Sequence, residues 1–133
     1  MRDFHIKIVS PDGLKLDGSI KSLLIRTDDG DVEILASHTD YFATIGVGRA
    51  RIIIDDSERF ASVNGGFLSV SGGEVTLATT TFEFSDEIDV ERAKSAKEDA
   101  ERRLSVAKTQ SEIDIAKAKL MRAMNRLNVS DLG

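Results

Sequence analysis

The sequence predicts an α+β protein: an N-terminal antiparallel β-sandwich in residues 1–85, then a C-terminal antiparallel α-helical hairpin in residues 86–133. Three observations predict it. Short runs of alternating apolar residues recur roughly every eight to twelve residues through the first part of the chain, divided by Asp, Gly and Pro turns, which is the rhythm of a sandwich or barrel. Beyond Ile88 the apolar period changes from two to 3.6. No helix-length pattern separates the strands, so parallel crossovers are not expected. No Pro/Gly/Ser linker divides the two modules either, so they are expected to pack on each other.

The strands follow in order. Phe4, Ile6 and Ile8 alternate with His5 and Lys7, a half-buried strand. Pro11-Asp12-Gly13 is a turn whose proline fixes the first dihedral. Leu14-Lys15-Leu16 leads to Asp17-Gly18, and the apolar run from Ile20 to Ile25 reads as one strand. Asp28-Asp29-Gly30 turns the chain into Val32 and Ile34, a short strand entering a loop that reaches Tyr41. Ile45-Gly46-Val47-Gly48 precedes the strand around Arg51-Ile52-Ile53-Ile54, which Asp55-Asp56-Ser57-Glu58 breaks. Arg59 to Val63 returns antiparallel. Gly65-Gly66 and Gly72-Gly73 bracket Phe67-Leu68-Ser69-Val70, and Val75, Leu77 and Thr79 make the last clear strand. Residues 80–87 are where the period changes.

The stretch from Ile88 to Leu127 carries two helices. Val90, Ala93, Ala96, Ala100, Leu104 and Ala107 fall on one face. After a break at Thr109-Gln110-Ser111 the stripe returns at Ile113, Ala116, Leu120, Met124 and Leu127. A link that short joins antiparallel neighbours. Ser111, with Asp114 three residues on, is expected to cap the second helix. The facing surfaces are mostly alanine, so they allow close approach and bury little apolar area. The hairpin is expected to be weakly held and movable.

Composition narrows the function classes. The chain has 133 residues, 41% hydrophobic and 31% charged, as in an ordinary globular protein. Cysteine is absent, which excludes disulfides and thiolate chemistry and points to a reducing compartment. The N-terminus has no signal-like segment, and no apolar run approaches the ~20 residues of a membrane span, so no membrane insertion is expected. The net charge of -5 lies wholly in residues 1–85, with 8 Lys+Arg against 13 Asp+Glu, whereas residues 86–133 hold 10 of each. An acidic body with a basic last helix (Lys117, Lys119, Arg122 and Arg126) argues against nucleic-acid binding. It allows a local acidic partner or a bound anion, or simply a solvated face.

Enzyme signatures are missing. There is no Gly-Lys pair for a P-loop and no Gly-x-Ser-x-Gly elbow. His5 and His38 are far apart and have no thiols beside them, so no metal site is expected. Asp28-Asp29 and Asp55-Asp56 sit in turn sequences, where aspartate bonds to nearby backbone. No catalytic residue is assigned. One constellation remains. Folding the hairpin about Gln110 brings Arg92 near Arg126, with Arg122 one turn away and Lys119 extending the face. The first helix starts at Asp89, so its positive dipole end lies at the same place. Three guanidiniums there make a plausible anion site. The alternatives are pairing with Asp89, Glu91 or solvent, or contact with a partner protein.

At these residues the chain resembles a known family, the epsilon subunit of the bacterial rotary F-type ATP synthase. Val9-Ser10-Pro11-Asp12-Gly13 resembles its opening turn. Gly30-Asp31, Ile34-Leu35 and His38 resemble its Gly-acid, Ile-Leu, His loop. Gly65-Gly66-Phe67-Leu68-Ser69-Val70 with Val75-Thr76-Leu77-Ala78 is similar to its most specific sandwich segment, and Arg122-Ala123-Met124-Asn125-Arg126-Leu127 to its last helix. The resemblance covers nearly the whole chain.

It implies a ten-stranded sandwich carrying a two-helix hairpin, and a non-catalytic rotor subunit of the central stalk of a proton-translocating ATP synthase. That subunit is peripheral, on the cytoplasmic face of the bacterial plasma membrane. The sandwich would bind the gamma subunit and the c-ring, with Asp31 and His38 as candidate contacts. The hairpin would fold on the sandwich, or extend along gamma to the alpha and beta catalytic subunits and inhibit ATP hydrolysis, with Lys117 and Lys119 as candidate contacts to an acidic segment of beta.

The resemblance also implies a nucleotide site. Some members bind ATP through Ile-Asp-x-x-Arg-Ala, present here as Ile88-Asp89-Val90-Glu91-Arg92-Ala93, and Glu83, Arg122 and Arg126 match further positions. Asp99 stands where those members carry an arginine. A carboxylate there repels phosphate, and Lys119 is its expected partner. The expectation is therefore ATP binding that is weak or absent, with no cofactor required. Ala36 and Asp40 also replace prolines usual in the loop. The other classes weighed are a soluble ATP-sensing module acting through the hairpin alone, and an enzyme using the sandwich cleft.

Overall fold

The computed structural model describes residues 2–132. Met1 and Gly133, the outer ends of the two expected modules, lie outside the described residues. Eight strands come first: β1 Phe4–Ser10, β2 Gly13–Ile20, β3 Ser22–Thr27, β4 Gly30–Ile34, β5 Tyr41–Thr44, β6 Val47–Ile54, β7 Ser57–Ser71 and β8 Glu74–Phe84. A 3-10 turn, Ser85–Glu87, leads into two helices, α1 Val90–Val106 and α2 Gln110–Ser130.

The strands are hydrogen-bonded in the order β2-β1-β8-β7-β6-β3-β4, and β5 pairs with β7. Two long strands turn this path into a sandwich. Residues 57–64 of β7 pair with β6, whereas residues 67–70 pair with β5. Residues 75–78 of β8 pair with β1, whereas residues 81–84 pair only with the first half of β7. One layer is therefore β2-β1-β8-β7-β5 and the other β4-β3-β6-β7-β8. The β7–β8 ribbon belongs to both.

The inward face of the ribbon changes where it crosses. Ala61, Val63, Phe82 and Phe84 face the core before the crossing, and Leu68, Val70, Val75 and Leu77 after it, so the parity slips by one on both strands while the register between them continues. Gly65 and Gly66 sit at the slip with φ of 71° and 107°. A Cβ on Gly66 would lie 1.9 Å from the carbonyl oxygen of Ala78, so only glycine fits there.

These facts correct several expectations. The described residues form eight strands, not ten; ten results when β7 and β8 are each counted once per layer. Gly65-Gly66 is a kink within one strand and not a turn. The run from Ile20 to Ile25 is two strands, because the chain changes layer at Lys21, whose N–H donates to the Ile53 carbonyl at 2.7 Å. The last strand runs on to Phe84, five residues past Thr79. One pair, β1 with β8, is parallel. It needs no crossover helix, since the rest of the sandwich connects the two strands.

The core is filled by large side chains from both layers, among them Ile6, Ile8, Leu23, Ile25, Ile34, Ile52, Leu68, Leu77 and Phe82, all buried. The hairpin is built differently. Its buried residues are Ala93 and Ala100 on α1 and Ala116, Ala123 and Val129 on α2. Ala96 and Met124, expected on the inner stripe, are exposed. Asp89 caps α1 by accepting from the Arg92 N–H at 3.0 Å. Thr109, not Ser111, caps α2: its hydroxyl accepts from the Glu112 N–H at 3.1 Å, and the Glu112 carboxylate accepts from the Lys108 N–H at 3.2 Å. With Thr109 as the cap, the helix starts two residues earlier than a Ser111 cap would start it.

Candidate functional site

The hairpin seats on the sandwich through α2. Asn125 reaches down between β6 and β7, and its Nδ2 donates to the Gly48 carbonyl at 2.7 Å and to the Ser62 hydroxyl at 3.0 Å. One residue on, the Arg126 guanidinium forks onto Glu83 of β8, with Nε to Oε1 at 2.8 Å and Nη2 to Oε2 at 3.1 Å. The extra length of β8 makes this possible, because it carries Glu83 out to meet the last helix. Both side chains are partly shielded, 23% and 30% exposed. A planar bidentate pair of this kind fixes orientation as well as charge.

Above this seat lies a cleft of about 700 Å³ between hairpin and sandwich. It gathers Arg92 from α1, Lys119, Arg122 and Arg126 from α2, and Lys15 from β2. Asp12, Glu83, Glu87 and Asp99 line it from the other sign, with Asn64, Thr81 and Asn125 as neutral polar groups. Arg92 and Arg122 make no ion pair among the described residues. The cleft can therefore attract an anion, but four carboxylates on its wall limit how strongly.

The remaining candidates are placed as follows. Ile88 and Ala93 are buried and do not line the cleft; Asp89 is occupied as the α1 cap. Asp99 does line it but pairs within its own helix, with Arg102 at 3.1 Å and Arg103 at 3.0 Å, and not with the expected Lys119. Residues three and four apart on a helix meet with no tertiary requirement, so the local arginines win. Lys117 points from the exposed side of α2.

Asp31 and His38 do not line this cleft; Asp31 lies on β4, in a neighbouring pocket that Asn125 also lines, and His38 in the loop after β4. Asp31 pairs with Arg26 across the β3–β4 hairpin at 2.6 Å, which holds the Arg26 pKa above its usual value. His38 Nδ1 bonds the Thr39 carbonyl at 2.7 Å, and its ring meets Tyr41 edge-on. The Tyr41 hydroxyl donates to Asp29 at 3.0 Å, which ties this loop to the 28–29 turn. Nearby on β5 and β7, Phe42 stacks on Phe67 with ring centroids 5.4 Å apart, and Phe42 remains 63% exposed. Sequence reasoning singled out neither this aromatic pair nor the Asn125 and Arg126 contacts. Two phenylalanines flanking strands marked by glycine carry some signal for the first. Nothing short of the fold carries any for the second, whose partners lie 77, 63 and 43 residues away. Among the described residues no group of three His, Asp or Glu side chains could hold a metal ion.

Comparison with known proteins adds the following. The family model for the ATP synthase delta/epsilon chain β-sandwich domain matches residues 3–85, and that for the delta/epsilon chain long α-helix domain matches residues 86–131. Relatives called ATP synthase epsilon chain include those of Halalkalibacterium halodurans, 39% identical over 98% of both chains, and Caldicellulosiruptor bescii, 34% identical over 98% of this chain and 96% of the relative. The fold is also similar to a chain of the Euglena gracilis mitochondrial ATP synthase (OSCP/F1/c-ring), with a TM-score of 0.82 at 20% identity over 98% of this chain and 82% of that one. A chain of the Tetrahymena thermophila mitochondrial ATP synthase central stalk and c-ring gives a TM-score of 0.65 at 12% identity, over 97% of each.

Proposed function

This chain belongs to the ATP synthase delta/epsilon family, and from that premise we propose that it is the epsilon subunit of the central stalk, a structural rotor part that regulates hydrolysis through its hairpin. The family is one of subunits of an ATP synthase, and the chain's role is structural rather than catalytic. In this reading the sandwich binds the gamma subunit and the c-ring. The exposed Phe42–Phe67 pair offers an apolar surface to a partner, and Asp31 and His38 offer polar groups. Among the described residues no helix is long and apolar enough to cross a membrane. In this reading the gamma subunit and the c-ring carry the chain, at the cytoplasmic face.

The single observation that carries the regulatory part is the hairpin's seat. The fully buried residues of the hairpin are four alanines and one valine, Leu104, Ile113, Leu120 and Leu127 are only half-buried, and Asn125 and Arg126 supply the side-chain bonds from α2 to the sandwich. A buried methyl group or a half-buried leucine contributes less than a fully buried leucine or isoleucine in a strand core. The hairpin can therefore leave without unfolding the sandwich, and extend along gamma toward the alpha and beta subunits with Lys117 and Lys119 presented to acidic surface. A ligand that binds only the seated form shifts the balance toward it. The mixed cleft suits weak binding of ATP by its phosphates to Arg92 and Arg122. The test is to delete residues 93–133 in the reconstituted complex. Latent ATP hydrolysis is expected to rise while the truncated sandwich still copurifies with gamma. An unchanged hydrolysis rate removes the inhibitory role.

A further inference from the structure

The cleft between hairpin and sandwich holds a carboxylate where an anionic ligand would go. Two of the five N–H groups of Arg126, Nε and Nη2, are taken by the Glu83 carboxylate. Arg92 and Arg122 line the same cleft without an ion-pair partner among the described residues. A phosphate oxygen bound to Arg126 would lie beside the Glu83 charge. Asn125, the neighbouring contact, holds the helix through neutral groups alone, the Gly48 carbonyl and the Ser62 hydroxyl.

We infer that Glu83 is an internal competitor for the cleft: it occupies Arg126, helps seat the hairpin, and lowers the cleft's affinity for polyphosphate. The resemblance assigned Glu83 to the ligand's side; the fork onto Arg126 assigns it to the opposing side. The Glu83–Arg126 bond and a bound polyanion draw on the same guanidinium, so this one bond opposes the ligand even though it helps hold the seat the ligand needs. The Asn125 contact shares no group with the ligand and sets the seat independently. This rests on the reading above that the cleft takes ATP by its phosphates and that the hairpin is separable from the sandwich.

The experiment uses the full isolated chain and inorganic triphosphate as the probe, followed by calorimetry, with amide exchange of α2 measured in parallel. Glu83→Gln keeps the shape and removes the charge. It is expected to tighten triphosphate binding by about fivefold, the scale of a partly exposed ion pair. Without triphosphate it should also speed exchange in α2, and added triphosphate should slow that exchange again. Asn125→Ala should speed α2 exchange too, but leave triphosphate binding unchanged or weaker. Binding that is unchanged or weaker in Glu83→Gln, or absent from both Glu83→Gln and the unsubstituted chain, overturns the inference. Neither readout involves the other subunits, so failure here is distinct from failure of the hydrolysis test.

Discussion

The sandwich and the hairpin solve the same problem with different materials. The sandwich closes two layers over isoleucine, leucine and phenylalanine side chains that exclude water almost completely. The hairpin closes over alanine and borrows its attachment from Asn125 and Arg126. Apolar burial scales with area, so the first region holds itself together and the second is held in place. The difference teaches that one chain can join a base closed over large apolar side chains to an arm closed over small ones without a flexible linker. Only three residues, Ala107 to Thr109, join the two helices, and the turn at Ser85–Glu87 joins arm to base.

Truncating the sandwich core should give the largest effect. Leu68→Ala removes a fully buried side chain where β7 meets β8 and is expected to lower the unfolding free energy by ~2–5 kcal/mol, measured by urea denaturation. A loss below ~1 kcal/mol would show that the base is as loosely packed as the arm.

Next in size is Ala100→Gly on α1. It should lower helix stability by ~1 kcal/mol. Faster amide exchange is expected throughout α1 and α2, with strand amides of the sandwich unchanged. Equal acceleration in both regions breaks the comparison, because arm and base would then unfold as one unit.

The smallest effect is pH-dependent and sharpens the picture of the base. His5 on β1 is bonded on both ring nitrogens, to Asp17 of β2 at 2.5 Å and Glu74 of β8 at 2.6 Å. These bonds, Asp17 first and then Glu74, raise its pKa above the ordinary 6.5. A raised folded-state pKa means the protonated ring stabilises the fold. The contribution is fully present below pH 6.5 and is lost as pH rises through the folded-state value. The melting temperature difference between the protein and His5→Gln should accordingly shrink as pH rises from 6 to 9. A difference that grows over that range contradicts the clamp.

Much of this was legible in the residues. Alternation marked β1, β4, β6 and most of β7, and the 3.6-residue period marked both helices, because each signal is local. The failures share a cause: the chain changes layer where local patterning shows nothing special. Ile20-Lys21-Ser22 crosses between layers inside an apolar run. Gly65-Gly66 crosses inside a strand, and the glycines that permit the kink resemble those of a turn. The parity slip between Thr79 and Phe82 then looked like the end of alternation, which hid the last five residues of β8 and with them the position of Glu83. At the site, the clustering of Arg92, Arg122 and Arg126 followed from folding a helical hairpin on paper. The Asp99 pairing with Arg102 and Arg103 was available from helix spacing. The Arg126–Glu83 fork and the Asn125 contact required the fold, since both join segments far apart in the chain.

The parallel pairing of β1 with β8 has a consequence for biogenesis. Ile6 finds its neighbour in Val75, so the first strand waits until more than half of the chain has been made before its layer can close. Contacts this distant in sequence make folding slow to nucleate. On a translating ribosome, the surface that receives α2 is completed only after β8 has emerged, and the helices follow it out of the exit tunnel. The order of emergence delivers every strand of the seat before the arm that docks on it.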